Sequence, residues 1–181
     1  MPPNLDIYCL TKHRNMDTIN RFLDRYVDRA ASEDRGDEEL MMRPLDMSNF
    51  TNTFESYDWE PALTLTNSIQ RGLDYPRRSF SVYLTTLIPE RAEMGGVLHF
   101  TDDDQLVLGL SFDDEGALPE NESRAKLLLA ELAKEFECHL GLVTVEVPPP
   151  SNEAEFRAEA DKPLTLFFCD FTQDPVTKSL E

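Results

Sequence analysis

The sequence lacks the short motifs by which many binding and catalytic sites are recognised. Its 7 glycines form neither G-x-G-x-x-G nor G-x-x-x-x-G-K-[ST], which excludes the two commonest phosphate-binding loops. The nucleophile motif G-x-S-x-G and the zinc motif H-E-x-x-H are absent as well. We therefore predict no cofactor, no metal and no catalytic residue. An enzyme built from dispersed residues stays open as an alternative.

Long apolar segments are also missing. No run approaches the roughly 18 apolar residues of a membrane-spanning helix. The first residues lack the basic start and the apolar stretch of a secretory signal. These observations predict a cytoplasmic protein that binds no membrane.

Cysteine is scarce. The chain has 3 cysteines, far apart in sequence and without C-x-x-C spacing: Cys9, Cys138 and Cys169. Each lies in or beside an apolar segment, so we predict buried, reduced thiols. Cys9 and His13 are the one Cys–His pair close in sequence, with basic neighbours that would favour a thiolate. Against a catalytic dyad, Cys9 shares the core-facing side of a predicted strand with Leu5 and Ile7.

Basic residues are few. The chain has 17 Lys and Arg against 35 Asp and Glu, which gives a net charge of −18. Residues 101–181 contribute −13 of this net charge. Such a field repels nucleic acid and speeds the encounter with a basic protein. We therefore expect a basic protein partner, such as a toxin or effector, and no nucleic acid.

Hydrophobic periodicity predicts an α+β fold. Spacings of three and four predict one long helix with an apolar stripe from Ile19 to Ala30 and a second over about 123–139. A capping box at Asn152 predicts one short helix. Alternating segments predict strands over 5–11, 80–87, 97–101, 105–112 and 142–147, and a largely buried strand over 164–171. We expect a single domain over 1–181, in which these helices pack on one mixed or antiparallel sheet of about five to six strands. An irregular excursion spans about 31–62, and a polar tail spans about 172–181.

The clearest local unit is a β-hairpin around the turn Asp102-Asp103-Asp104. Alternating apolar residues on both of its strands predict one buried face and one solvent-facing side. His99 falls on the side opposite the apolar residues, so we predict a half-exposed histidine. Further along, Gly141 is placed to end the second long helix, with His139 at its C-terminus.

Two acidic clusters flank the second strand of this hairpin: Asp102, Asp103 and Asp104, then Asp113, Asp114 and Glu115. An EF-hand is excluded because the sixth position from Asp102 is Val107 instead of glycine. A strand of about 3.3 Å per residue places the clusters roughly 25 Å apart, too far to share one ion. We predict two solvated loops, and a weak cation site on either cluster alone is an open alternative.

Large aromatic side chains lie among acidic residues in the irregular segment 48–61. Tyr57 and Trp59 alternate with acids, a composition that suits the binding of a basic partner. The same aromatics could instead fold back as a satellite core. Arg77-Arg78 is the one adjacent basic pair, too small against the surrounding charge to indicate DNA binding.

These observations predict an acidic protein-binding module that neutralises or regulates a basic protein, as bacterial immunity proteins and other inhibitors do. The argument is an analogy from charge, size and the absence of motifs. One alternative is an enzyme that uses Cys9 and His13 or dispersed surface carboxylates, and another is a structural or regulatory domain whose charge serves solubility. The sequence leaves the oligomeric state open. The predicted partner-binding residues are Asp102, Asp103, Asp104, Asp113, Asp114, Glu115, Tyr57 and Trp59.

Overall fold

The computed structural model of the protein describes residues 4–33, 40–41, 59–60, 64–87, 95–113 and 119–173. The helices are α1 Met16–Tyr26, α2 Arg29–Glu33, α3 Leu65–Asp74, α4 Pro119–Glu135 and α5 Glu153–Ala158. The strands are β1 Asn4–Thr11, β2 Leu40–Met41, β3 Trp59–Glu60, β4 Phe80–Thr85, β5 Gly95–Phe100, β6 Leu106–Asp113, β7 Leu140–Val145 and β8 Thr165–Asp170. None of the helices in these ranges is long and apolar enough to cross a membrane.

Six strands form one antiparallel sheet in the order β4-β5-β6-β1-β7-β8. The remaining two strands, β2 and β3, pair with each other. The predicted α+β class is confirmed, and the sheet is fully antiparallel. Beyond the two long helices and one short helix that the sequence predicts, the structure adds α2 and α3.

The main core lies between one face of the sheet and the helices α1, α3 and α4. The predicted apolar stripe is confirmed from Ile19 to Tyr26, where Ile19, Phe22, Leu23 and Tyr26 are all buried. Its predicted end at Ala30 is wrong, because α1 ends at Tyr26 and Ala30 is an exposed residue of α2. Asn15 caps α1, since its side-chain oxygen accepts a hydrogen bond from the Thr18 amide. The stripe and the cap together fix where α1 begins and which side faces the sheet.

A smaller cluster covers the opposite face of the sheet. Phe156 of α5 is fully buried there against residues of β1, β6 and β7. The chain that leads to α5 contains the buried residues Pro149 and Pro150, and the Tyr8 hydroxyl donates a hydrogen bond to the Val147 carbonyl at 2.7 Å. Both faces of the sheet are therefore covered in its middle.

This second layer overturns the prediction of a hairpin with one buried side. Residues on both faces of β5 and β6 are buried, among them Val97 and Val107 on the side predicted to face solvent. The prediction of a half-exposed His99 is also wrong, because only 5% of it is exposed. Its two ring nitrogens lie 3.1 Å from the Ser79 hydroxyl and 2.8 Å from the Ser81 hydroxyl. A buried imidazole needs such partners for both nitrogens.

The predicted end of the second long helix is wrong as well. α4 ends at Glu135, and Glu137 then adopts the left-handed conformation with φ of 52°. Gly141 lies instead within β7, and His139 precedes that strand. A Cβ on Gly141 would come within 2.9 Å of the Leu129 side chain, so this glycine serves the close approach of α4 to the sheet.

β8 forms one edge of the sheet and was predicted to be largely buried. That prediction is wrong, since Leu164 and Leu166 are 51% and 40% exposed. An edge strand pairs on one side only, and β8 pairs with β7 alone. One neighbour covers less of a strand than two neighbours do.

Arg14 joins three parts of the fold. Its side chain is only 3% exposed, and its guanidinium lies 5.1 Å from the centre of the Phe100 ring. It donates hydrogen bonds to carbonyl oxygens at the end of α3 and on both sides of the β5–β6 turn: Gly72, Tyr75, Pro76, Thr101 and Gln105. A cation at the α3 C-terminus also favours the helix dipole. Arg14 thus fixes the α3–β4 loop against the β5–β6 turn.

We expect Arg14→Lys to lower the free energy of unfolding by about 2–3 kcal/mol. Lysine keeps the charge but cannot reach carbonyls on two segments with one ammonium group, so buried acceptors lose their donors. Urea denaturation measures the difference. Arg124→Lys, at an exposed position of α4, is the control and should change stability by less than about 0.5 kcal/mol. Equal stability of Arg14→Lys and the wild type would contradict this role.

Candidate functional site

The three predicted aspartates lie in the turn between β5 and β6. Thr101 and Gln105 close this turn, because the Thr101 hydroxyl donates to the Gln105 carbonyl at 2.9 Å and accepts from the Gln105 amide at 2.8 Å. Asp104 has a φ of 64°, the left-handed conformation that aspartate tolerates in turns. Asp103 and Asp104 are exposed and Asp102 is half-buried. The closed turn therefore holds three carboxylates side by side.

The fold brings a second acidic segment to this turn. The Asp102 amide donates to the Ser151 carbonyl at 2.9 Å, and Oδ2 of Asp103 accepts from the Glu153 amide at 2.8 Å. Because α5 begins there, Glu153 and Glu155 lie beside the turn. We name Asp102, Asp103, Asp104, Glu153 and Glu155 the acidic turn surface.

Sequence reasoning missed the two glutamates, which lie about 50 positions from the turn along the chain. The signal for α5 itself was visible. Asn152 accepts from the Glu155 amide at 2.9 Å as the capping box predicts. Oε2 of Glu155 accepts from the Ser151 amide at 3.0 Å. No sequence signal, however, indicated that this helix start would meet the hairpin turn.

A polar network under α5 anchors the acidic turn surface to the sheet. Oε2 of Glu153 lies 3.2 Å from Nε2 of Gln105 and 3.3 Å from Nε2 of His139. Arg157 pairs with the other oxygen of Glu153 at 2.9 Å and with Asp170 of β8 at 2.8 Å. The network ties α5 to the residues that precede β6 and β7 and to β8, so Glu153 is held at a fixed position.

Burial and hydrogen bonding set the protonation of this network. Burial works against ionisation of Glu153, but hydrogen bonds from Arg157, Gln105 and His139 outweigh it and lower its pKa. The hydrogen bond from Arg157 lowers the pKa of Asp170 to about 2. Burial raises the pKa of Asp102, and the neighbouring carboxylates Asp103 and Glu155 add to the rise. Glu153 and Asp170 are therefore ionised at neutral pH.

Of the other predicted partner-binding residues, the structure describes the backbone of Asp113 and Trp59. Asp113 ends β6, at the opposite end of that strand from the turn. Trp59 lies in β3, paired with Met41. Tyr57, Asp114 and Glu115 lie outside the described residues. Their role in binding stays a prediction.

The burial of Cys9 argues against a Cys9–His13 dyad. Cys9 is fully buried in the main core, and burial raises the pKa of its thiol well above the ordinary value. His13 is half-exposed and lies 2.8 Å from Glu137. A thiolate nucleophile requires an exposed, electropositive position, which Cys9 lacks.

Within the part of the chain that the structure describes, no group of three or more His, Cys, Asp or Glu side chains is placed to hold a metal ion.

Acidification should destabilise the protein through His139. Nδ1 of this ring is buried and has no hydrogen-bond partner among the described residues. Burial lowers the pKa of His139 below 6.5, Lys12 and Arg157 act in the same direction, and Glu153 acts against them. The unfolded chain therefore binds the proton more readily, so this contribution to stability is full above about pH 6.5 and falls below it.

His139→Gln keeps an N–H donor for Glu153 but does not titrate. Asp6, whose pKa burial raises to about 6, contributes an opposite change over the same interval in both proteins. We expect urea denaturation to show that lowering the pH from about 7.5 to about 5.5 shifts this variant less towards unfolding than it shifts the wild type. The same shift in both proteins would show that His139 does not contribute to the pH dependence.

Comparison with known proteins identifies no family. No protein-family model matches the chain, and no curated protein matches its sequence. A solved structure of the toxic C-terminal tip of CdiA from Pseudomonas aeruginosa in complex with immune protein aligns over 93% of this chain and 95% of the matched chain. The two chains are 9% identical, with a TM-score of 0.47. A similarity at this level assigns neither fold nor function.

Proposed function

We propose that the protein is an acidic binding module that neutralises or regulates a basic protein partner, in the manner of an immunity or inhibitor protein. The proposal rests on one observation above all. Two segments far apart in sequence converge to form the acidic turn surface, and the polar network under α5 holds it in place. A fixed group of carboxylates suits the docking of Lys and Arg side chains.

The distribution of charge over the described surface favours this location. On α1, acids alternate with arginines, and Asp24 pairs with Arg29. On α4, Glu122 pairs with Lys126, and Glu135 pairs with Arg25 of α1. At the acidic turn surface, Arg157 pairs with Glu153, and Arg14 lies 3.9 Å from Asp104. Asp102, Asp103 and Glu155 form no ion pair within the described ranges, so three carboxylates of this surface are left for a partner.

The mechanism follows from the net charge of −18. A field of one sign attracts a basic partner and raises the association rate, most strongly at low salt. Close contact is then made by the carboxylates at the turn. Tyr57, Trp59 and the cluster of Asp113, Asp114 and Glu115 are further proposed contacts.

The test is a neutralised turn, with Asp102, Asp103 and Asp104 all changed to Asn. Asparagine retains a side-chain oxygen that can accept from the Glu153 amide, so α5 keeps its contact. A basic partner purified from the native cell is the binding probe. We expect the association rate at low salt to fall roughly tenfold and its salt dependence to become shallower.

The matched control neutralises three exposed glutamates elsewhere: Glu120, Glu131 and Glu146, each changed to Gln. This control removes the same charge, so a smaller effect would identify the turn as the contact. If the association rate of the wild type does not change with salt concentration, electrostatic attraction of the partner is contradicted. If the neutralised turn binds and acts as the wild type does, the charge serves solubility, as the structural alternative requires.

A further inference from the structure

An arginine-rich patch lies on this acidic protein beside the acidic turn surface. Tyr75 is 44% exposed, and the guanidinium groups of Arg71 and Arg78 lie 5.9 and 5.3 Å from the centre of its ring. Arg77, which directly precedes Arg78, is exposed. We name Arg71, Tyr75, Arg77 and Arg78 the arginine patch.

The arginine patch and the acidic turn surface are fixed to each other. The Asp104 amide donates to the Pro76 carbonyl at 3.1 Å. Arg14 binds the Tyr75 carbonyl at 2.9 Å and the Thr101 carbonyl at 2.6 Å, one on each side of the junction. The positive and negative groups therefore stand next to each other at one end of the sheet.

The neighbouring aspartates do not pair with Arg77 or Arg78. In the described parts of the chain, neither Arg77 nor Arg78 forms an ion pair. Oδ2 of Asp103 accepts hydrogen bonds from the Gln105 side chain and from the Glu153 amide at the start of α5. Asp104 lies 3.9 Å from Arg14. Arg77 and Arg78 thus keep their donors available to a group from outside.

We infer that the arginine patch binds a carboxylate of the same basic partner, an inference that rests on the proposed function. Guanidinium groups bind carboxylates through paired hydrogen bonds. The net charge of −18 repels polyanions such as nucleic acid. An isolated acidic residue on an otherwise basic protein is instead brought in by the attraction of its neighbours. The arginine patch and the acidic turn surface together then fix the orientation of the partner. A basic protein without such a carboxylate binds less tightly.

Two fluorescent peptide probes test the inference by anisotropy. The first probe is hexalysine, and the second is hexalysine followed by four glycines and two glutamates. Hexalysine binds acidic groups but not the arginine patch, whereas the added glutamates can reach the arginine patch through the flexible linker. We expect the second probe to bind the wild type roughly tenfold more tightly than the first, because the second contact is intramolecular.

Arg77→Ala should remove this gain and leave hexalysine binding as strong as before. The double variant with Arg77→Ala and Arg78→Ala should do the same. If the double variant folds poorly, the single variant Arg77→Ala still provides the test, because Arg77 is exposed. Arg124→Ala, an exposed arginine on α4, is the matched control and should keep the full gain.

The outcomes separate the two proposals. If hexalysine binds but the glutamates add nothing, the carboxylate inference is overturned and the proposed function stands. If hexalysine fails to bind, the proposed function is contradicted and the inference falls with it. If a single-stranded 12-nucleotide DNA binds the wild type, loses binding in Arg77→Ala, and the glutamates add nothing, the patch is a phosphate site and the inference is overturned.

Discussion

The buried guanidinium of Arg14 is the interaction on which the functional end of the molecule depends. It satisfies carbonyls at the end of α3 and in the β5–β6 turn, two segments that have no strand pairing with each other. A planar group with several donors can serve both at once. Without it, the Gly72 and Thr101 carbonyls would lose the donor that Arg14 supplies, and the arginine patch would be held less firmly beside the acidic turn surface.

The second constraint is the layer formed by α5 on the sheet face opposite the long helices. Phe156 supplies the apolar contact, while Glu153, His139, Gln105 and Arg157 supply the polar one. This layer has two consequences. It buries the face of the β5–β6 hairpin that was predicted to be solvent-facing, and it places Glu153 and Glu155 beside the β5–β6 turn. The same packing that stabilises the middle of the sheet therefore builds the acidic turn surface.

Local patterns predicted local structure well. The α1 stripe from Ile19 to Tyr26, the cap of α5 at Asn152 and the pairing of β5 with β6 follow from residues that are neighbours in the sequence. His99 shows where such patterns fail. Its alternation with apolar residues indicated a solvent-facing side, but the burial of that side depends on what packs above the strand. The prediction that Gly141 ends a helix is wrong for a related reason, because the role of this glycine is set by contact with Leu129 of α4.

The sequence by itself determined the sign of the charge, the α+β class, most of the elements and the candidate turn Asp102–Asp104. These properties depend on composition and on spacings of a few residues. Only the tertiary structure decided that Glu153 and Glu155 lie beside that turn and that Arg77 and Arg78 adjoin it. The complete burial of Cys9 in the core was decided in the same way. Each of these depends on contacts between segments tens of residues apart, and a pattern within one segment holds no information about which distant segment will pack against it.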